Sequence, residues 1–259
     1  MLRPLTEQPR SAAIFCDIDG TLATIVQRAS DAKVAEHTSR LLGGLARRYA
    51  CVACISGRAS AEARALVGVG GIVYAGTHGA ELLEPGATRA RLNPEVAKWA
   101  DRVRAFSFEH DSRELRTLRL RIEDKGPIIA FHWRGAPNED AARARAEEIA
   151  KEAEEAGLFV HWGRKVLEIR PPVQIDKGQA VRELVRRFPV RAAMFAGDDV
   201  TDLDGFDALD ALAAEGALES AVRVGIRSDE GPAAIVERAD LAVDGVAGFR
   251  VVLEALAAG

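Results

Sequence analysis

Two groups of acidic residues each follow a short apolar run, and their types and spacing suit metal and phosphate chemistry. Asp17-Ile18-Asp19-Gly20-Thr21 follows residues 12–16, and Gly197-Asp198-Asp199-Val200-Thr201-Asp202 follows residues 192–196. If both runs are strands of a parallel sheet, the acids meet at its carboxyl edge, where such folds bind ligands. Carboxylates gathered there suit Mg²⁺, which completes its coordination with water and phosphate oxygens. A solvated turn is the alternative for the first motif taken alone.

Two further features at the ends of apolar runs could contact a phosphate. Ser56-Gly57-Arg58 follows residues 51–55, and a hydroxyl with free backbone N–H groups before a helix forms an anion site. Lys177 opens a helical pattern, and its ammonium could hold a phosphate while balancing the acids. Each has an ordinary alternative, because Ser-Gly turns are common and a lysine at a helix start usually points into water. Four such features at strand ends together indicate one site.

Short strands alternating with helices would position these residues. Near-continuous apolar runs are typical of strands buried on both faces. They occupy residues 12–16, 51–55, 72–75, 192–196, 221–226 and 241–243. Between the first two runs, Leu41, Leu42 and Leu45 recur at helical spacing. Ser30 or Asp31 is the expected cap of that helix. The alternation predicts a Rossmann-like, doubly wound parallel α/β sheet.

The middle of the chain shows a different pattern, in which apolar and polar residues alternate. Four candidate strands occupy residues 117–123, 128–134, 158–162 and 166–170. Clean alternation is typical of antiparallel strands with one wet face, and the charged segment 138–156 has the composition of an exposed helix. We therefore predict an inserted α+β cap domain at residues 84–174, and an α/β core formed by residues 1–83 and 175–259.

Composition and charge exclude several classes of protein. The chain has 259 residues, 48% hydrophobic and 29% charged, which fits one or two folded domains and excludes a disordered chain. Thirty-five basic against 39 acidic residues give a formal charge of −4, so we expect no general affinity for nucleic acid or anionic membranes. No apolar stretch reaches about 18 residues, and the first residues lack a signal-peptide pattern. We expect a cytoplasmic monomer.

The three cysteines of the chain are too few for a disulfide framework. The pair Cys51-x-x-Cys54 invites a redox or zinc interpretation. However, a redox pair sits at a helix N-terminus and zinc needs two more ligands. Both cysteines lie inside an apolar run, so we predict buried strand residues, in keeping with the burial preference of free thiols.

The acidic, serine and lysine motifs together resemble those of the haloacid dehalogenase superfamily of aspartate-nucleophile phosphotransferases. Within that superfamily, further strings are similar to the trehalose-6-phosphate phosphatase family. They are residues 52–58, Gly76-Thr77-His78-Gly79-Ala80-Glu81, Glu123-Asp124-Lys125, His132-Trp133-Arg134 and Gly197-Asp198-Asp199-Val200-Thr201-Asp202. The resemblance spans residues 12–250. Leu203 is a departure, because the family commonly has Glu there.

The resemblance implies a Mg²⁺-dependent phosphatase that hydrolyses trehalose 6-phosphate through an aspartyl-phosphate intermediate. It implies Asp17 as nucleophile and Asp19 as general acid and base. It also implies that Ser56 and Lys177 contact the phosphoryl oxygens. The implied metal ligands are Asp17, Asp19 through its backbone carbonyl, and Asp198, with Asp199 and Asp202 as ligand or support. The implied substrate contacts are Gly57, Arg58, Glu123, Lys125, Arg134 and Glu168.

Alternation in the predicted cap domain gathers charged side chains on one sheet face, independently of the resemblance. Glu123 and Lys125 share a face of the first strand, and Glu168 and Arg170 share a face of the last. Such a face could satisfy the hydroxyls of a disaccharide, although charged outer faces are ordinary on small sheets. His78 is expected to structure its loop.

Two alternative functions stay open from the sequence. One is another sugar phosphatase or a phosphomutase of the same superfamily, which would share the core chemistry and differ in the cap domain. The other is a non-catalytic phospho-signalling module, because receiver domains also combine an acid pair, a phosphorylated Asp and a Lys. Such a module is only about half this length and has no inserted domain.

Overall fold

The structure is a computed structural model that describes residues 1–26, 28, 31–228 and 231–259. They form two compact units, of which unit 1 comprises Met1–Arg91 and Ile175–Gly259, and unit 2 comprises Leu92–Gln174. The sequence placed the first boundary after residue 83, whereas the chain divides after Arg91. Residues 84–91 belong with unit 1 because the short strand at Arg91–Leu92 extends its sheet.

The two units contain the following helices and strands. The strands are β1 (Ala12–Cys16), β2 (Cys51–Ile55), β3 (Val73–Gly76), β4 (Glu81–Leu83), β5 (Arg91–Leu92), β6 (Arg121–Asp124), β7 (Ile129–His132), β8 (Phe159–Gly163), β9 (Val166–Arg170), β10 (Ala192–Gly197), β11 (Ser220–Arg227) and β12 (Leu241–Asp244). The helices are α1 (Arg3–Glu7), α2 (Glu36–Arg48), α3 (Ser60–Val67), α4 (Pro94–Glu109), α5 (Arg113–Leu118), α6 (Glu139–Glu155), α7 (Lys177–Arg187), α8 (Leu203–Ala214), α9 (Ala233–Glu237) and α10 (Gly245–Ala258). None of the helices in the described part of the chain has the length and apolar character that a membrane crossing requires.

The main sheet places the carboxyl ends of three strands side by side. Its order is β12-β11-β10-β1-β2-β3-β4-β5. Strand β1 lies between β10 and β2 and runs parallel to both, so that Cys16 stands opposite Ala196 on one side and Cys54 on the other. Strand β4 is antiparallel to β3. The polar residues that follow β1, β2 and β10 therefore leave the sheet at the same edge.

Alternate residues of the central strands enter two apolar clusters. Ile14 and Val52 join the cluster that contains residues of α2 and α10, whereas Phe15 and Ala53 join the cluster that contains residues of α7 and α8. Burial on both faces explains why these strands are continuous apolar runs. The predicted doubly wound α/β sheet is confirmed. Cys51 and Cys54 are buried and free in β2, as predicted, and Cys16 is buried and free at the end of β1.

Unit 2 has a four-stranded antiparallel sheet in the order β6-β7-β9-β8. Phe131 and Leu167 point from one face of it into a core that includes Ile149 of α6. The opposite face carries polar side chains, because successive residues of a strand point to opposite sides. This arrangement of one apolar and one polar face is the α+β pattern predicted for the insertion.

Two local expectations were wrong. The first strand of unit 2 was expected at residues 117–123, but α5 continues to Leu118 and the strand begins at Arg121. The reason is that Leu115 and Leu118 are spaced three apart and also fit a helix. Helix α2 begins at Glu36, so Asp31 does not cap it, and Ser30 lies outside the described residues.

Candidate active site

Three buried carboxylates, from Asp17, Asp198 and Asp202, converge beyond the ends of β1 and β10. One oxygen of each lies within 4.8 Å of the others. The backbone N–H of Asp17 donates to the carbonyl of Ala196 at 2.9 Å, which continues the pairing of β1 with β10 up to the cluster. The register of the two strands thus brings together acids that are far apart in the sequence.

Two glycines leave the space that these carboxylates occupy. Gly20 has a φ of +87°, and a Cβ there would lie 2.0 Å from an oxygen of Asp198. A Cβ at Gly197 would lie 2.2 Å from Cγ of Asp202. Thr21, which was not among the expected site residues, donates a hydrogen bond from its hydroxyl to Oδ1 of Asp198 at 3.2 Å. Its only sequence signal is its place in the Asp-Gly-Thr turn after β1.

Lys177 supplies a buried positive charge to the cluster. Its Nζ donates to Oδ1 of Asp17 at 2.7 Å and to Oδ1 of Asp202 at 2.6 Å. Lys177 is the first residue of α7, whose N-cap Asp176 accepts a hydrogen bond from the backbone N–H of Gln179. The start of this helix therefore directs the ammonium into the protein, and the alternative of a solvated lysine is excluded.

The electrostatics of the cluster reflect its burial. Burial raises the pKa of Asp17 to about 8, although Lys177 opposes the rise. Burial, together with the charge of Asp202, raises the pKa of Asp198 to about 6. Burial would lower the pKa of Lys177, but Asp17 and Asp202 outweigh it and hold that pKa above its ordinary value. If all three acids were ionised beside the one ammonium, the cluster would carry two negative charges, which a divalent cation would neutralise.

Asp202 and Asp199 organise the loop after β10. Oδ1 of Asp202 accepts from Lys177, and Oδ2 accepts from the backbone N–H groups of Asp198 and Asp199 at 3.0 Å each. Asp199 forms a reciprocal capping box with Asp202 around the short 3-10 helix Val200–Asp202. The structure does not bring the Asp199 carboxylate into the acidic cluster.

The carboxylate of Asp19 is held by Arg58. Nε of Arg58 donates to Oδ2 and Nη2 donates to Oδ1, both at 2.7 Å. A bidentate pair fixes the plane of the carboxylate and leaves a second lone pair on each oxygen. Arg58 was expected to contact substrate, which stays a prediction, and in the structure its guanidinium is the partner of Asp19.

The loop after β2 is braced by the Thr77-His78 segment. Ser56 is buried, its Oγ accepts from the backbone N–H of Arg58 at 3.2 Å, and its carbonyl accepts from the N–H of His78 at 2.9 Å. A Cβ at Gly57 would lie 2.8 Å from the His78 ring. Thr77 and His78 have φ values of 51° and 58°, which are uncommon for residues other than glycine. His78 thus structures this loop, as expected.

In unit 2, Glu123, Lys125 and Glu168 form a cluster on the polar face of the sheet. Nζ of Lys125 lies 3.1 Å from Oε1 of Glu168 and 3.8 Å from Oε2 of Glu123. Arg170 donates to the second oxygen of Glu168. Burial would raise the pKa of Glu168, but Lys125 and Arg170 outweigh it and lower that pKa to about 2. Glu168 is therefore ionised at neutral pH.

Arg134 has different surroundings from these three residues. It is exposed, and its Nη2 donates to the carbonyl of Arg164 at 3.4 Å. It lines a cavity together with Arg116, Arg119 and Arg121. The six expected substrate contacts therefore occupy separate environments, with Gly57 and Arg58 in unit 1 and the others in unit 2.

Comparison with known proteins places this arrangement in a family. The model of the trehalose-phosphatase family matches residues 15–242, which include every acid of the cluster. This chain belongs to the trehalose-phosphatase family. The resemblance drawn from the sequence motifs is confirmed.

Proteins from mycobacteria and from a fungus are similar to this chain. It is 38% identical over 210 residues to a trehalose-phosphate phosphatase of Mycobacterium avium (strain 104), covering 77% of this chain and 52% of that protein. It thus spans about half the length of the curated relatives it matches. A trehalose-6-phosphate phosphatase related protein has the same fold, with a TM-score of 0.72, 24% identity and coverage of 95% and 97% of the two chains. An Aspergillus fumigatus trehalose-6-phosphate phosphatase superposes with a TM-score of 0.65 at 25% identity, covering 100% of this chain and 97% of that one.

Proposed function

We propose that this chain is a Mg²⁺-dependent phosphatase that hydrolyses trehalose 6-phosphate to trehalose and phosphate. The proposal is carried by one observation, the convergence of the buried Asp17 and Asp198 carboxylates beside Lys177 in a chain of the trehalose-phosphatase family. The Mycobacterium avium relative that is named for this activity supports the choice of substrate.

The donor set fits a hard divalent cation. All of its ligand atoms are oxygens, as Mg²⁺ prefers, and the cluster carries surplus negative charge. We assign the ligands to Asp17, Asp198 and the backbone carbonyl of Asp19. The metal would supply electrostatic stabilisation of the phosphoryl oxygens.

The reaction proceeds in two displacements. A carboxylate oxygen of Asp17 forms a bond to phosphorus while the bond from phosphorus to the sugar oxygen breaks, and Asp19 gives a proton to that oxygen. A water molecule then attacks the aspartyl-phosphate, Asp19 takes its proton, and the bond to Asp17 breaks to release phosphate. Lys177 and the hydroxyl of Ser56 donate hydrogen bonds to the phosphoryl oxygens as their charge changes.

Arg58 orients the acid and base of this reaction. Its two hydrogen bonds hold both oxygens of Asp19, and only 15% of the Arg58 side chain is exposed. The remaining lone pairs of Asp19 are then presented in one fixed plane. Arg58 acts on the reaction through Asp19, and the direct substrate contact that the family resemblance implied stays a prediction.

The sugar is recognised by the cluster Glu123, Lys125 and Glu168. Sugar hydroxyls both donate and accept hydrogen bonds, so a binding face needs acceptors and donors side by side. The cluster offers both, since its carboxylates flank one ammonium within 4.0 Å. The mutual pairing also holds these long side chains in place before any sugar arrives, which lowers the entropy cost of binding.

The experiment is phosphate release from trehalose 6-phosphate, sucrose 6-phosphate and glucose 6-phosphate, each with Mg²⁺ and with a chelator. We expect Mg²⁺-dependent turnover that favours trehalose 6-phosphate. Asp17→Asn should lose at least on the order of 10³ in rate while its thermal unfolding stays close to wild type. Preference for either other sugar phosphate supports the alternative of a different sugar phosphatase. A stable phosphoprotein without turnover supports a signalling module.

A further inference from the structure

Unit 2 contains a cavity whose lining includes one expected substrate contact, Arg134, and otherwise residues to which the proposed function gives no role. Its volume is about 660 Å³, and its wall includes the last turn of α4, helix α5 and the start of β6. The residues that matter for its chemistry are Arg116, Arg119, Arg121, Arg134, Asp111 and Phe108. Four arginines thus line one cavity in a protein whose formal charge is −4.

About half of the positive charge of this cavity is uncompensated among the described residues. Arg116 pairs with Asp111 at 2.9 Å, which is the acid that lines the cavity. Arg134 donates a hydrogen bond to a backbone carbonyl, and its charge also interacts with the carboxylate of Glu139. Within the part of the chain that the structure describes, the side chains of Arg119 and Arg121 have no hydrogen-bond or ion-pair partner. An anion could therefore bind Arg119 and Arg121 without displacing an existing hydrogen-bond or ion-pair partner.

Arg119 occupies a backbone position that disfavours arginine. It follows the last residue of α5 with φ 52° and ψ 34°, in the left-handed region. This position after a helix is usually taken by glycine, and a residue with a Cβ is sterically disfavoured there. The chain carries this strain at a residue that lines the cavity. Strain of this kind points to a use for the side chain.

The cavity also has an aromatic wall and room for more than a phosphate. Phe108 is 45% exposed. Guanidinium groups bind phosphate oxygens in a bidentate way, and an exposed aromatic ring stacks on a flat heterocycle. Sites for small organic ligands span roughly 300–1,000 Å³, a range that includes this cavity. We propose that it binds a nucleotide, with the phosphates on Arg119 and Arg121 and the base against Phe108.

The test is calorimetric titration of the full chain with ADP, pyrophosphate and adenosine. A chelator is present throughout, so that no metal at the acidic cluster of unit 1 recruits the phosphates. We expect ADP to bind more tightly than pyrophosphate, and adenosine to bind most weakly of the three. Added salt should lower the affinity for ADP. Because nothing in this titration depends on phosphatase activity, it can succeed or fail independently of the proposed function.

Variants separate a ligand site from a merely charged surface. Arg119→Gly removes one guanidinium, so it should lower the affinities for ADP and pyrophosphate at least about fivefold. Because it also removes the backbone strain, it should not lower the midpoint of thermal unfolding. Phe108→Ala should lower the affinity for ADP and leave the affinity for pyrophosphate unchanged. Lys165→Gly is the matched control, because Lys165 is also basic, also has a left-handed φ of 62°, and does not line the cavity. It should leave ADP affinity unchanged.

Four results would overturn the nucleotide site. The first is no ADP binding up to about 1 mM, which is too weak for a specific site. The second is an equal loss of affinity in Lys165→Gly and Arg119→Gly. The third is an unchanged ADP affinity in Phe108→Ala. The fourth is displacement of ADP by trehalose 6-phosphate, because the cavity would then belong to the substrate site.

Discussion

Replacing Lys177 with methionine removes the cation that two buried carboxylates share. Nζ lies 2.7 Å from Asp17 and 2.6 Å from Asp202, and only 3% of the Lys177 side chain is exposed. At an effective dielectric constant of about 20, each contact is worth roughly 6 kcal/mol before the cost of burying the charges. That cost offsets most of the attraction, but losing one partner leaves the others buried and uncompensated. We therefore expect Lys177→Met to lower the free energy of unfolding by about 3–5 kcal/mol.

Urea unfolding at neutral pH, followed by circular dichroism, measures this loss. Asp202→Asn and the double variant complete a mutant cycle, in which we expect a coupling of about 2 kcal/mol. The matched control is Arg3→Met, since Arg3 pairs with Glu7 at the same 2.6 Å but is 83% exposed. That pair should contribute less than about 1 kcal/mol. A Lys177→Met loss no larger than the control, or additive losses in the cycle, would refute the reasoning.

Two further predictions concern the turn after β1 and the acid stability of unit 2. Gly20→Ala should lower the rate of phosphate release on the order of 100-fold, because the new Cβ would clash with Asp198. The control is Gly216→Ala, since Gly216 has a similar φ of +73° but open space around it. Its rate should stay close to that of the wild type. Equal losses in steady-state assays would contradict this. The pKa of Glu168 is lowered from 4.5 to about 2, so the ionised carboxylate stabilises the fold above about pH 4.5. This contribution to the free energy of unfolding, up to roughly 3 kcal/mol, is lost as the pH falls toward 2. In urea unfolding, the advantage of wild type over Glu168→Gln should shrink between about pH 5 and pH 3, and a constant difference would disprove the assignment.

The core of unit 1 was predictable because its strands are buried on both faces. Strands β1 and β2 begin and end where the apolar runs do, since a polar residue inside either strand would be buried without a partner. Parallel pairing then collects the residues after each strand at one edge. The meeting of Asp17 and Asp198 follows from these two facts, without any knowledge of side-chain positions.

Unit 2 was less predictable because its patterns are ambiguous. Leu115, Leu118 and Leu120 satisfy helical spacing in part and strand alternation in part. The helix ends at Leu118 because Arg119 turns into the left-handed region, where a glycine would have given a clear signal. Helix α4 was not anticipated at all, although Asn93 caps it and Pro94 is its first residue, which are ordinary start signals.

Several features of the site depend on side-chain directions that spacing does not reveal. The sequence placed Asp19 and Arg58 at neighbouring strand ends, but nothing in their spacing showed that they pair with each other. Whether the fork of Arg58 reaches a carboxylate or a phosphate depends on its rotamer and on the loop braced by His78. The left-handed φ of Thr77 in that loop is also invisible in the sequence, because threonine seldom adopts it.

The free lone pairs of the acids at these strand ends assign their roles. Both oxygens of Asp202 accept hydrogen bonds from the protein, and both oxygens of Asp19 accept from Arg58. Asp17 and Asp198 each have one oxygen bonded, to Lys177 and Thr21 respectively, and within the described residues the second oxygen of each has no hydrogen-bond partner. An oxygen with no hydrogen bond from the protein keeps both lone pairs for a cation or a phosphorus atom, and an oxygen with one hydrogen bond keeps a single lone pair. We infer that Asp17 and Asp198 meet the metal, whereas Asp202 acts by holding Lys177.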